Sequence, residues 1–235
     1  MGMPGSITTF ESEMTRVGLV GSGRIGSTVA KLAVAAGHDV VLSNSRGPET
    51  LDELVAELGE HAEAATNEEA AEAGDLVLVS VPLKAYPALA GLPLGGKLVM
   101  DTGNYYPERD GQISELETKV LTDSEYLLRH LPRADVVKVF NNIYFKHLLN
   151  LSRPPASPER SALPIAGDSA AAKGAVTAFL DSIGYDVVDG GALSDGWRQQ
   201  PGTPVYATPY GSFDNERGTP AGEDVIIAAL AAATR

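Results

Sequence analysis

The chain has 235 residues, 43% of them hydrophobic and 21% charged, enough to bury a packed core in one generous domain or in a domain with a smaller lobe. Its formal net charge of −13 argues against nucleic-acid and membrane-surface partners, so any local cation stands out against the background. There is no cysteine, which excludes disulfides, thiolate nucleophiles and cysteine metal sites and fits a reducing cytoplasm.

Residues 1–15 read as a polar N-terminal arm without the basic start or apolar stretch of a signal peptide, and Met14 is an alternative start to Met1. Arg16–Val20 reads as a short buried strand. GSGRIG follows at residues 21–26, then a helix over Ser27–Ala36 with Val29, Leu32, Ala33 and Ala36 at helical spacing and Gly37 as its C-cap. Asp39–Ser43 is a second strand and Glu49–Leu58 a helix. Glu63–Ala65 is a weak strand, and Asn67–Ala73 a helix with Asn67 as its N-cap. Leu76–Ser80, Lys97–Asp101 and Asp135–Phe140 are further strands. Their near-continuous aliphatic character suits strands covered on both faces, hence a parallel sheet.

Beyond Leu151 the Pro/Ser/Arg-rich stretch Ser152–Arg160 reads as a mobile loop or linker. A strand at Leu163–Ala166, a helix over Ser169–Ile183, a strand at Tyr185–Val188, a loop-rich stretch and a helix over Glu223–Ala233 complete the chain. The predicted fold is α/β: a Rossmann-type doubly wound parallel sheet in a first domain over residues 16–150. A small C-terminal α/β lobe follows over residues 151–235.

Gly21, Gly23 and Gly26 meet the pattern GxGxxG between a strand and a helix, with a second strand at the right distance. Gly21 permits the tight turn, Gly23 lets the backbone approach a pyrophosphate, and Gly26 lets the helix pack close to the strand. The amides near Arg24 and Ile25 then face the phosphates, and Ser22 adds a hydroxyl. In NAD-binding domains an acid ends the second strand, about 20 residues beyond the first glycine. Here the strand ends in Asn44-Ser45-Arg46, and no carboxylate comes before Glu49. Ser45 and Arg46, with Asn44 close by, suit the 2′-phosphate of NADP(H), which a carboxylate would repel.

Ligands of open parallel sheets bind beyond the carboxyl ends of the strands. That places Val81 and Pro82 beside the nicotinamide ribose, the stretch from Asp101 to Tyr106 after the next strand, and Asn141-Asn142 after DVVKVF. Asn141 is assigned to the cofactor, and Asn104, Tyr105, Asn142 and Tyr144 to the substrate. His147, alone among these, reads as a surface or core histidine. No Ser-His-Asp spacing, HExxH or metal-ligand cluster stands out, so no catalytic side chain and no metal is assigned. That absence agrees with hydride transfer between two bound rings.

GLVGSGRIG, the Asn44-Ser45-Arg46 turn, SVPLKAY and KVFNN together resemble NADPH-dependent reductases of the deazaflavin coenzyme F(420). The resemblance extends to the NADPH-binding domains of STEAP-type metalloreductases and covers most of residues 16–188. It implies hydride exchange between NADP(H) and coenzyme F(420) as co-substrate, in a homodimer. It also implies Gly21, Ser22, Gly23, Arg24 and Ile25 at the pyrophosphate, Ser45 and Arg46 at the 2′-phosphate, and Val81, Pro82 and Asn141 at the nicotinamide. DTGNYYPERDG and LSDGWRQQPGTPVYATPYG depart from that pattern. They leave the acceptor open among a deazaflavin, a flavin and a small organic substrate, with a non-catalytic NADPH sensor as the alternative.

Overall fold

The structure is a computed structural model and describes residues 14–235; the polar arm expected at the start lies, up to residue 13, outside the described residues. Eight strands form the sheet: β1 (Arg16–Val20), β2 (Asp39–Ser43), β3 (Ala62–Ala64), β4 (Leu76–Val79), β5 (Leu98–Asp101), β6 (Asp135–Lys138), β7 (Ala162–Gly167) and β8 (Asp186–Asp189). Their spatial order is β3-β2-β1-β4-β5-β6-β7-β8. The chain leaves β1 toward β2 and β3 on one side and resumes at β4 on the other. The topological switch point therefore falls between β1 and β4, where such sheets open a crevice at their carboxyl edge.

The first six strands are parallel, as their aliphatic runs predict. β7 reverses: it pairs antiparallel with β6 through Val137–Gly167 and Lys138–Ala166, and β8 runs parallel to β7. The reason lies in the connection. After β6 only the short helix α7 (Phe145–Asn150) and a loop intervene, so the chain re-enters the sheet from the carboxyl end of β6 without crossing back. The residues after 151 thus extend the same sheet.

Both sheet faces are apolar, with the period of two that a covered strand requires. Val17 and Leu19 of β1 and Leu76 and Leu78 of β4 face one cluster, while Val20, Val77 and Val79 face the other. The first cluster is closed by α1 (Arg24–Ala35) through Val29 and Ala33, by α8 (Ala170–Ser182) through Val176, Phe179 and Leu180, and by α9 (Glu223–Ala231) through Ile226 and Leu230. Each such aliphatic side chain contributes about 1.5–3 kcal/mol on burial. On the opposite face α3 (Asn67–Ala73) sits so close to β1 that a Cβ on Gly18 would lie 2.0 Å from the Ala70 carbonyl oxygen.

Two local expectations are corrected and a third is refined. Thr66, not Asn67, caps α3: its hydroxyl accepts the Glu69 N–H while the Glu69 carboxylate accepts the Thr66 N–H, a capping box. Asn67 instead accepts a hydrogen bond from the Ser43 hydroxyl at 2.8 Å. Ser152–Arg160 is a loop, as expected, and the buried Arg160 anchors its end. The guanidinium donates to the Tyr185 carbonyl at 2.9 Å and pairs with Asp181 and Asp186 at 2.5 and 2.7 Å. Between β5 and β6, where no element is predicted, the chain forms α4 (Pro107–Asp110), α5 (Ser114–Glu117) and α6 (Asp123–His130). α2 (Asp52–Leu58) is the remaining α-helix among the described residues. None of these helices is long and apolar enough to cross a membrane.

Candidate active site

A cavity of about 450 Å³ opens at the carboxyl ends of β1, β4, β5 and β6, where the switch point predicts it. Its first wall is the glycine loop. Gly21 has φ +102°, and a Cβ there would lie 2.4 Å from the Ser80 carbonyl oxygen; a Cβ on Gly26 would lie 2.2 Å from the Gly21 carbonyl oxygen. Both positions therefore need glycine for packing. Gly23 differs: no atom of the described residues lies within 4 Å of its Cβ position, which leaves space above it for a ligand.

Gly23 is the N-cap of α1 and supplies no side-chain cap, and the first turn carries no acidic residue. By contrast α2, α3, α6 and α9 all place Asp or Glu in their first turns. The amides of Arg24 and Ile25 have no backbone partner among the described residues, and both residues line the cavity. An uncapped helix amino terminus over open space is built to receive an anion. The Arg24 guanidinium lies 5.2 Å over the Phe145 ring at the same rim. Ser22 does not project its hydroxyl into the cavity; it donates to the Ser43 carbonyl at 2.9 Å and ties the loop to β2.

The end of β2 divides the roles expected of its three residues. The Asn44 side chain is consumed by the turn: its Oδ1 accepts the Arg46 N–H at 2.7 Å and its Nδ2 donates to Thr50 at 2.8 Å. This is the turn-stabilising use of asparagine. Ser45 and Arg46 are presented on the surface, and the Arg46 guanidinium has no carboxylate partner among the described residues. They lie outside the lining of the cavity, beyond the neighbouring strand.

Val81 and Pro82 after β4, Thr102 and Asn104 after β5, and Phe140 to Asn142 after β6 form the opposite wall. Phe140 is buried with φ +63°, a left-handed conformation that costs a bulky residue energy and recurs at functional sites. Asn104 and Asn141 lock each other: Asn141 Nδ2 donates to Asn104 Oδ1 at 2.9 Å, and Asn104 Nδ2 donates to the Asn141 carbonyl at 2.7 Å. Asn141 Nδ2 also donates to the Gln199 carbonyl at 2.7 Å, which fixes the amide's orientation and leaves its buried Oδ1 without a partner among the described residues.

The remaining predicted residues separate. Asn142 borders the cavity, but its Nδ2 donates to the Val205 carbonyl at 3.1 Å and its carbonyl accepts the Ala207 N–H at 2.8 Å, so it anchors the C-terminal segment. Tyr144 lines the cavity and meets Phe213 edge-on at 5.1 Å. Tyr105 does not line it. Consecutive residues in extended backbone point to opposite sides, and Tyr105 turns away to hydrogen-bond Glu117 at 2.7 Å while Tyr106 faces the cavity. Tyr105 instead lines a separate cavity of about 290 Å³ together with Trp197. His147 is a core histidine, its Nε2 paired with the Asn215 carbonyl at 2.8 Å. Tyr206, Ala207 and Phe213 line the site from a Gly/Pro-rich stretch whose sequence carries no motif.

Behind the cavity lies a buried polar cluster. Asp101 accepts hydrogen bonds from the Tyr86 hydroxyl at 2.7 Å, the Gly103 N–H at 2.9 Å and the Ser124 hydroxyl at 2.6 Å. Lys138 donates to the Gly103 carbonyl at 2.9 Å. Burial pushes the Asp123 carboxyl up, against the pull of the Lys138 ammonium, and pushes the Tyr86 phenol well above its ordinary range. No group of three or more metal-ligating side chains occurs among the described residues.

The sequence profile described as NADP oxidoreductase, coenzyme F(420)-dependent, matches residues 16–105. Metalloreductase STEAP3 of Rattus norvegicus is 30% identical over 192 residues, covering 81% of this chain and 36% of the metalloreductase. The chain thus spans little more than a third of the length of the curated relatives it matches. A crystal structure of a hypothetical protein from Sinorhizobium meliloti superposes with TM-score 0.71 at 28% identity, covering 84% of this chain and 95% of that one. A candidate coenzyme F(420)-dependent NADP reductase from Arthrobacter sp. superposes with TM-score 0.62 at 24% identity, covering 77% and 86%, a likeness of fold. The glycine loop, β2 with its acid-free end and the strands to β5 all fall within the segment that this profile matches.

Proposed function

We propose that this protein binds NADP(H) at the amino terminus of α1 and transfers hydride between the nicotinamide and a deazaflavin, coenzyme F(420), or a similar ring acceptor. The observation that carries this reading is the uncapped, acid-free start of α1 over the open space above Gly23. Bound NADPH supplies the hydride. The Arg24 and Ile25 amides hold the pyrophosphate, and Ser45 and Arg46 hold the 2′-phosphate. Val81, Pro82 and Asn141 border the nicotinamide. Asn104, Tyr144 and Phe213 wall the acceptor side of the cavity. The likeness to a metalloreductase over 81% of the chain supports a second reading, in which the electrons pass to a flavin or a metal ion. The homodimer belongs to this reading too, and a solution mass of two chains is its test.

The test mixes protein, NADPH and oxidised coenzyme F(420) and follows the visible absorbance of the deazaflavin, with FMN and FAD in parallel. NADPH binding is followed by its own fluorescence, because Trp197 lines the separate cavity. Enzyme-dependent bleaching of the deazaflavin, faster with NADPH than with NADH, supports the reading. Bleaching of FMN or FAD alone supports the second. Binding of NADPH without oxidation by any acceptor points to a sensor.

A further inference from the structure

Two phenols meet in the wall of the cavity from positions 100 residues apart: the Tyr106 and Tyr206 hydroxyl oxygens lie 2.5 Å from each other. Each is held from its own side. The Tyr106 ring lies under the Arg109 guanidinium at 4.9 Å, and its carbonyl accepts the Arg109 and Asp110 amides at 2.9 Å. Tyr206 precedes Ala207, which is kept at φ +61° while its N–H bonds the Asn142 carbonyl. A left-handed alanine persists only where its surroundings over-determine it. The pair is thus positioned by the packing of both segments rather than by chance contact.

Two phenols carry two protons. One lies in the bond between the oxygens, and the second is left to point at whatever occupies the cavity. Burial, and then the bond to Tyr206, hold the Tyr106 phenol far above its ordinary value, so this phenol keeps its proton through the physiological range. No carboxylate among the described residues is hydrogen-bonded to either hydroxyl.

We propose that the Tyr106–Tyr206 pair is the hydrogen-bond and proton donor of the acceptor site, which makes the acceptor a ring with a carbonyl oxygen or imine nitrogen conjugated to the carbon that receives hydride. This rests on the hydride-transfer reading above. As the carbon–hydride bond forms at that carbon, the conjugated π pair moves onto the heteroatom. The phenol O–H bond breaks and a heteroatom–H bond forms, and the acceptor gains two electrons from the nicotinamide. The phenolate is stabilised by its partner's O–H and regains its proton from water at the open mouth. A nonpolar acceptor, or a bare metal ion, gives this pair nothing to do.

The test uses the full chain as Tyr106→Phe, Tyr206→Phe and the double variant. Oxidised coenzyme F(420) and FMN are titrated into NADPH-free protein by fluorescence, and turnover is measured in H2O and D2O. Each single variant is expected to bind the ring acceptor about fivefold more weakly, as for one lost neutral hydrogen bond. Each is also expected to turn over about 10²-fold more slowly, at unchanged NADPH affinity. The double variant should be no slower than the slower single, and the solvent isotope effect of the wild type should disappear. Single variants that bind and reduce the acceptor as the wild type does overturn the proposal and leave the hydride-transfer reading standing. A wild type that binds NADPH and oxidises it with no acceptor overturns both.

Discussion

Asp101 and Lys138 stand opposite one another in register at the carboxyl ends of β5 and β6, and neither side chain reaches solvent. Between them they grip both ends of one residue: Asp101 accepts the Gly103 N–H, and Lys138 donates to the Gly103 carbonyl. Gly103 has no room for a side chain, since a Cβ would fall 1.8 Å from the Tyr86 hydroxyl. The charges are thus used to set the loop of Thr102 and Asn104 that walls the cavity.

Lys138→Met should cost about 1–3 kcal/mol, because it leaves the buried Gly103 carbonyl without its donor. Urea denaturation at neutral pH measures it. A loss below about 1 kcal/mol would show that the loop is held by neutral hydrogen bonds alone.

Asp123 has the opposite balance. Burial raises its carboxyl pKa, so the folded chain holds that proton more tightly than the unfolded one. The stabilisation is complete below the unfolded carboxylate range, about pH 4, and is lost as pH rises through the folded value. Asp123→Asn removes this titration. Its stability relative to the wild type should therefore rise between acid and neutral pH, as read from denaturation midpoints across that range. Parallel pH curves for the two proteins would contradict the direction of the shift.

Gly23→Ala and Gly26→Ala should behave differently although both break the glycine pattern. Gly23 has φ −75° and open space around its Cβ, so alanine there should leave stability within about 1 kcal/mol while intruding on the pyrophosphate. Gly26→Ala drives a methyl into the Gly21 carbonyl, a backbone atom that cannot swing aside, and should destabilise by about 1–3 kcal/mol. Thermal melts with and without NADPH separate the two: the first variant should melt normally and lose its ligand-induced shift.

Arg46→Ala should weaken NADPH binding about tenfold or more, the loss of a charge-assisted bond, and leave NADH binding nearly unchanged. Fluorescence titrations of both cofactors test it. Equal losses would remove Arg46 from the 2′-phosphate site.

The sequence by itself determined the strand–glycine–helix unit, the missing acid after β2 and the aliphatic runs of the parallel strands. These are local patterns with a period or a spacing, and the chain reads them the same way folded or not. It also marked Val81, Pro82 and Asn141, because strand ends define the ligand edge. Tertiary structure alone decided the rest. Asn44 and Ser22 turned inward to the turn and to β2, Tyr105 yielded its place to Tyr106, and Tyr206 and Phe213 arrived from a stretch without periodicity. β7 reversed because its connection stays at the carboxyl end of β6. A side chain's partner at a separation of 100 residues depends on how the whole sheet closes, and no local preference encodes that distance.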